Sequence, residues 1–560
     1  SVKTTFNRRI NDYKLALMAD DLSRVNWQTM YKLDDCQLQT DFFYQNLLSV
    51  INFHAPLEAC SFKTNDRPWV TAYFKNLILQ RNLAFNNRQH VLYRLLKNKV
   101  NRVRKSLQKQ YYLDHIANLK TTKPAQWWKE LKSICRFNNK NNAVFDDNLT
   151  HFGETVSVTR LPDVINNFFV SVGKELPSLD LAKLDQLRLS LGPVVPDKYI
   201  VDPFQVFIAL SKIPLNKSSG PDLIPVKVIR NLASILSEPI SAIINSSVRQ
   251  GIVPEAWKMS RITPLPKCFP PSTVENDIRP IAITNQLAKI AEKFVSRWFN
   301  EHFEFHLDSN QFGCSSNRST THALVKIMHE ISQASDNSNN FIRILFVDFS
   351  KAFDKIDHNI LFQKFVDFDF PPHITAWSLS FLHDRKQYVK IGNSHSETLI
   401  SNAGTPQGTI SGPNDFKLLI NDLVFDLNYA KYVDDTTVVS ISIDPYNLDL
   451  QHSANRLIDW TQNNRMTVNE TKTKEMLIYF GTKFSHNTVP FISINEKEIE
   501  RIESFKLLGV VISSDLSWQP HVDFILKKAA KRIYCIHYLV RAGIRDMVTV
   551  FFFASFAETT

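Results

Sequence analysis

The stretch Leu427-Asn428-Tyr429-Ala430-Lys431-Tyr432-Val433-Asp434-Asp435-Thr436-Thr437-Val438-Val439 sets two adjacent carboxylates between β-favouring, mostly apolar segments. That composition predicts two short strands joined by a tight acidic turn. Neighbouring side chains on a strand point to opposite faces, so a turn is the easiest way to aim both acids at one place. Two negative charges brought together repel unless a cation lies between them, which makes the pair a candidate metal site.

A third carboxylate then has to come from elsewhere. Ile342-Arg343-Ile344-Leu345-Phe346-Val347 is a mostly apolar run that predicts a buried strand, and it ends in Asp348. After it, Phe349-Ser350-Lys351-Ala352-Phe353-Asp354 begins a helical pattern. An Asp at the exit of one strand, facing an Asp-Asp turn on another, is the layout of a two-metal phosphoryl-transfer site. In such a site two divalent ions about 3.5–4 Å apart serve the attacking and leaving oxygens. Either segment alone is as readily an Asp-rich surface turn; together they point to the metal site.

The 560 residues suffice for about two to four domains with a sizeable core. Hydrophobic and charged contents of 44% and 22% are those of a folded chain rather than a disordered one. Lys and Arg outnumber Asp and Glu by 66 to 55, a balance that suits a polyanionic partner. The excess is concentrated: residues 75–113 hold ten Lys or Arg and no acid. There Leu79, Leu83, Val91, Leu95, Val103 and Leu107 recur at helical spacing, predicting a long amphipathic helix with a basic face. Tyr111, Tyr112, Trp127 and Trp128 follow. Two readings stand: a nucleic-acid backbone surface with stacking aromatics, or a solvated face beside core aromatics. The absence of acids over that length favours the first.

Cys36, Cys60, Cys135, Cys268, Cys314 and Cys535 are scattered without metal-ligand spacing, which disfavours a zinc module or a disulfide framework and suits a reducing compartment. No apolar run reaches the roughly 18 residues of a membrane span, and the start lacks a signal-peptide pattern. The chain begins at Ser1 and stops amid an apolar pattern, so a fragment of a longer polyprotein is expected.

Along the chain, residues 1–60 have a mostly helical pattern and residues 137–200 that of a linker with some helix. Asp202-Pro203 fits a helix cap and first turn. Residues 263–267 and 278–284 predict two strands joined by a loop with Pro270-Pro271, presenting Lys267 and Arg279 near that loop. A helix from Asn285 carries Leu287, Ile290, Ala291, Phe294, Val295 and Trp298 on one face. In Ala403-Gly404-Thr405-Pro406-Gln407-Gly408 two glycines let the backbone approach a ligand, and Gln407 can donate and accept. Alone this is an ordinary turn; between two acidic strands it predicts the wall of a nucleotide pocket. Ser411-Gly412-Pro413 then opens a helix reaching about Leu427.

This set of motifs resembles the reverse transcriptase of non-long-terminal-repeat retrotransposons, in the jockey-like branch. The matching order is Ser219-Gly220-Pro221-Asp222, Arg279-Pro280-Ile281, Gln311-Phe312-Gly313, Phe346-Val347-Asp348 with Ala352-Phe353-Asp354, Gly404 to Gly408, Tyr432 to Asp435, residues 469–473 and Leu507-Leu508-Gly509-Val510. It spans roughly residues 205–540, and residues 1–150 resemble the family's linker between endonuclease and polymerase. The branch usually has Phe-Ala before the Asp pair, where this chain has Tyr432-Val433, and Cys314-Ser315 replace the usual aromatic and basic residues after Gly313.

The resemblance implies an α+β right-hand polymerase with fingers, palm and partial thumb, plus a helical N-terminal extension. Its segments would be a basic extension (1–150), a linker (151–204), fingers (205–335), palm with fingers insertions (336–515) and a truncated thumb start (516–560). Asp348, Asp434 and Asp435 match the palm acids, with Asp348 and Asp434 holding two magnesium ions, or manganese in their place. Lys267 and Arg279 would cradle the incoming triphosphate, and Phe353 matches the gate that clashes with a ribose 2′-hydroxyl. Gln407 and Gly408 would line the nucleotide pocket. Lys472 matches a lysine that protonates leaving pyrophosphate, and residues 505–510 would position the primer end. Implied partners are template RNA, primer or target DNA and dNTPs, with no membrane and with an endonuclease of the same polyprotein outside this chain. A ribonucleoprotein of nucleus and cytoplasm is expected, working by target-primed reverse transcription. The alternative is an inactive or domesticated nucleic-acid-binding remnant, against which stand the intact acids, Lys267, Arg279 and Gln407. Bulky Phe353 disfavours an RNA-copying RNA polymerase.

Overall fold

The structure, a computed structural model, describes residues 2–63, 69–111, 149–192, 194–484 and 488–541, with two isolated positions between. The run after residue 340 forms the strand Phe341–Val347, buried along its whole length. Its side chains alternate between two cores: Ile342, Ile344 and Phe346 enter one, Leu345 and Val347 the other. It is an inner strand of a four-stranded antiparallel sheet, between Asp435–Ser442 and Lys474–Ile478, with Asn428–Tyr432 outermost. The acidic stretch is the hairpin foreseen, and Thr436 lies opposite Val347, which puts Asp348 beside its turn.

A second sheet is built on the hairpin of Met259–Pro266 and Ile278–Thr284. Arg385–Ile391 joins it in parallel and Leu399–Ser401 extends it. The helix Gln286–Phe303 follows, and Leu287, Ile290, Ala291, Phe294, Val295 and Trp298 are all buried. The Asp202 carboxylate accepts the Phe204 N–H at the head of Pro203–Ser211, as a cap should.

Three expectations are corrected. Residues 350–355 form turns rather than a helix, with Lys351 at φ 51°. The helix His358–Asp367 starts only where Asp357 caps it, accepting from Asn359 and Ile360. The helix opened by Ser411 stops at Leu419, not near Leu427. The buried Lys431 ammonium takes the carbonyls of Ile420, Asn421 and Leu423, which would otherwise serve a continuing helix. The basic segment is two helices, Ala72–Asn86 and His90–Tyr111, because Arg88 turns left-handed (φ 56°) just past the first. They pack through Phe74, Leu77 and Val100, while Leu79, Leu83, Val91 and Leu95 are exposed. Tyr112, Trp127 and Trp128 lie outside the described residues. Residues 151–204, expected as a linker with some helix, do contain helix. The helix Leu161–Ser171 buries Leu161, Ile165 and Phe168 in one cluster with Ile262, Ile278 and Val389 of the second sheet.

By contacts the chain divides into two units. The smaller comprises residues 1–6, 59–144 and 518–560, and the larger residues 7–58 and 145–517. Within the larger, helices Asp12–Ser23 and Cys36–His54 bury Leu15, Met18, Leu22, Phe43, Leu47 and Ile51 in the same core as Ile240 and Ile244 of helix Ala233–Gln250. Among the described residues no helix is long and apolar enough to cross a membrane.

Candidate active site

Tyr432 pairs with Asp435, so Val433 and Asp434 are the two turn residues of the hairpin. A two-residue turn that follows the strand twist needs positive φ at its first position, a place that glycine usually fills. Here Val433 takes φ 62°. For a β-branched residue that costs on the order of 1–2 kcal/mol, so surrounding contacts must hold it. Below the turn, the buried Gln311 Oε1 accepts the N–H groups of Val433 (3.1 Å) and Gly313 (2.8 Å). Lys431, fully buried, anchors the outer strand through Asp308 Oδ2 at 2.9 Å.

Asp348 emerges from the adjacent strand. Its N–H donates to Thr473 Oγ1 (3.2 Å) and its carbonyl accepts the Asn469 N–H (2.8 Å). This draws residues 469–473 alongside and brings Lys472 Nζ to 3.9 Å from Asp348 Oδ2. All three carboxyls are pushed above the ordinary carboxylate range, chiefly by loss of solvation. Asp348 adds repulsion at Asp434, and Asp434 and Asp348 together help raise Asp435 to about 6. Lys472 and Lys267 pull Asp348 back, and Arg279 does the same for Asp434. Lys267 is lowered by loss of solvation, then by Lys472 and Arg279. Lys472 and Lys267 thus act on Asp348 and Arg279 acts on Asp434, while Asp435 is shaped by burial and by the other two acids. Among the described residues, no group of three His, Cys, Asp or Glu side chains is gathered closely enough to cage a metal ion.

The remaining site residues lie on two interlocked loops. Gly404 and Thr405 donate their N–H groups to the carbonyls of Ile356 and Phe353, both at 2.8 Å. A Cβ on Gly404 (φ 72°) would meet the Asp354 carbonyl at 2.7 Å. Phe353 is half-buried and stacks on Phe416, with centroids 4.9 Å apart. Gln407 Nε2 donates to Asp354 Oδ1 (3.1 Å), and the Gln407 carbonyl accepts the Ala282 N–H (2.7 Å). Through Ala282 the loop is tied to the strand that bears Arg279, and Gly408 (φ 108°) permits the approach. A small open cleft of about 50 Å³ is lined by Asp354 and Gln407. Residues 505–510 form the tip of a small hairpin, with Phe505 stacked on Phe346 at 4.0 Å.

Three acids escaped the sequence reading, Glu292 and Asp415 buried and Asp354 part-buried. Glu292 Oε2 accepts the N–H groups of Ile410 (2.7 Å) and Ser411 (3.2 Å), and Asp415 Oδ2 accepts from Thr405 Oγ1 (2.8 Å). Both fasten the loop carrying Gln407. Asp354, quoted within a motif but given no role, is the partner of Gln407. A Glu between Ala291 and Phe294, on an otherwise apolar helix face, was the available signal for Glu292.

Residues 270–512 match the reverse transcriptase (RNA-dependent DNA polymerase) family. The RNA-directed DNA polymerase from mobile element jockey of Drosophila melanogaster is 25% identical over 61% of this chain and 40% of its own length. The probable RNA-directed DNA polymerase from transposon BS of the same fly is 26% identical over 64% of this chain and 40% of its own. A retrovirus-related Pol polyprotein from the type-1 retrotransposable element R1 of Bradysia coprophila is 23% identical over 65% and 36%. The chain therefore spans well under half the length of these relatives. Acids, cations and interlocked loops all fall at or near the matched segment, and residues 270–512 thus carry the likeness to the reverse transcriptase family, in a chain similar to the RNA-directed DNA polymerase from mobile element jockey.

Proposed function

We propose that this chain copies template RNA into DNA, extending a DNA primer end with dNTPs. The observation that carries the reading is the placing of Asp348 and the Asp434–Asp435 turn on adjacent strands of one sheet, facing Lys472, Lys267 and Arg279. Three acids whose charged forms are disfavoured by burial, and at Asp434 and Asp435 also by a neighbouring acid, are carboxylates that a divalent cation drawing them together would relieve. Asp348 and Asp434 would hold magnesium or manganese, with Asp435 alongside. When bound, two such ions stabilise the attacking and leaving oxygens of a nucleotidyl transfer.

The chain's own groups supply the rest. Lys267 and Arg279 neutralise the triphosphate, and Lys472 stands ready to give the leaving pyrophosphate a proton. Phe353, braced on Phe416, blocks the space of a ribose 2′-hydroxyl, while Gln407, oriented by Asp354, and Gly408 line the base side of the pocket. The acidic sheet then serves as palm, the second sheet as part of the fingers, and the hairpin at 505–510 as the support of the primer end. The setting proposed is target-primed synthesis within a ribonucleoprotein of nucleus and cytoplasm, with an endonuclease of the same polyprotein. Primer extension on an RNA template with dNTPs and magnesium tests it. Extension is expected, and its absence with folded protein at every magnesium and manganese concentration would overturn the reading.

A further inference from the structure

Gln311 has no part in the chemistry described above, yet it is 1% exposed and lies directly beneath the acidic turn. Two N–H donors, those of Val433 and Gly313, converge on one of its side-chain atoms. Only an oxygen can receive both, which fixes the orientation of the amide. Among the described residues its Nε2 is buried without a hydrogen-bond partner, so the acceptor is the working half of the side chain. The backbone repeats the contact: Phe312 N–H donates to the Lys431 carbonyl and Lys431 N–H to the Asn310 carbonyl, each at 2.8 Å. The third observation is steric. Gly313 packs so tightly that an added Cβ would stand 2.3 Å from the Val433 nitrogen and 2.9 Å from the Tyr432 carbonyl carbon.

These contacts meet at Val433, the one turn residue whose backbone is in an unfavourable region. The next residue is Asp434, and its carboxylate direction follows from the turn. We infer that Gln311 is a positioning residue that holds the Val433 turn in its left-handed form and thereby aims the Asp434 carboxylate, with Gly313 providing the space. This rests on the reading of Asp434 as a metal-holding acid. A misplacement of about 1 Å at a reacting centre costs roughly a hundredfold in rate, so a loosened turn should register in turnover rather than in nucleotide binding.

The test compares Gln311→Met, which keeps bulk but removes the acceptor, with Gln311→Glu, which keeps an acceptor oxygen. Gly313→Ala presses on Val433 while leaving the Gln311 amide itself unaltered. Expected for Met and Ala is a fall in kcat of about ten- to a hundredfold, with the KM for dNTP within about twofold of wild type. Gln311→Glu should recover most of the loss. Hydrogen exchange of the Val433 and Gly313 amides provides a readout without turnover. Protection should fall selectively in Gln311→Met while the strand Phe341–Val347 keeps its own, and Mn²⁺ binding should weaken in parallel. Wild-type kcat in either Met or Ala overturns the inference. So does an equal loss in Met and Glu accompanied by general loss of protection, which is what a purely structural role gives. A wild type that extends no primer sinks the polymerase reading, while the exchange data still decide whether Gln311 holds the turn.

Discussion

At the scale of single residues, the site gathers charges that water would otherwise separate. Asp434 is raised by burial and then by Asp348, so a cation nearby favours its charged form. Asp434→Asn should therefore reduce primer extension to background while leaving the melting temperature equal to or above wild type, a pairing checked by thermal denaturation beside the extension assay. Phe353 is held by the ring of Phe416, so shortening it opens space without disturbing the acids. For Phe353→Val the ratio of rNTP to dNTP incorporation efficiency is expected to rise at least about tenfold. Asp415 gives a prediction in pH. Burial pushes it to about 7 from an ordinary 3.8, helped by Glu292 and opposed by Thr405 and Arg385. A carboxyl raised on folding lends stability that is complete below the unfolded value and is lost as pH rises through the folded one. Between about pH 5 and pH 7 the wild type should lose roughly 2–3 kcal/mol relative to Asp415→Asn, read from urea melts at both pH values.

At the scale of elements, the pair of helices Ala72–Asn86 and His90–Tyr111 offers the clearest choice between two readings. Arg94, Lys97, Arg102 and Lys105 are exposed on the second helix, in a segment without an acid. If they meet phosphates, replacing all four by Gln weakens RNA binding and flattens the plot of log affinity against log salt by up to about 3, at roughly 0.7 per phosphate of a single strand. Identical slopes from titrations at several salt concentrations would instead mark a solvated face. Element boundaries also show where sequence reading succeeds. The strand Phe341–Val347, the acidic hairpin and the helix after Asn285 were legible because their apolar periods are local and match the faces they bury. The early stop at Leu419 was not, because its cause is Lys431, reaching back from another strand. Glu292 and Gln311 were obscure for the same reason: the backbone groups they satisfy belong to distant segments.

At the scale of the molecule, the helices Asp12–Ser23 and Cys36–His54 near the start of the chain are structural parts of the larger unit. Leu15, Met18, Leu22, Phe43, Leu47 and Ile51 share a core with residues drawn from 195–303 and 345–499 of the larger unit. Removing residues 1–58 should thus expose the apolar side of helix Ala233–Gln250 and abolish cooperative thermal unfolding, measured by circular dichroism and soluble yield. The four-stranded sheet has a further consequence, one that concerns synthesis. Its strand Phe341–Val347 precedes both neighbours, Asp435–Ser442 and Lys474–Ile478, in the order of translation. While the ribosome makes the intervening residues, that apolar ribbon waits with both edges open, interrupted only by Arg343. A nascent chain stalled before residue 435 is accordingly the form most in need of a chaperone, and the acidic hairpin that completes the site is also what seals the ribbon against its own kind.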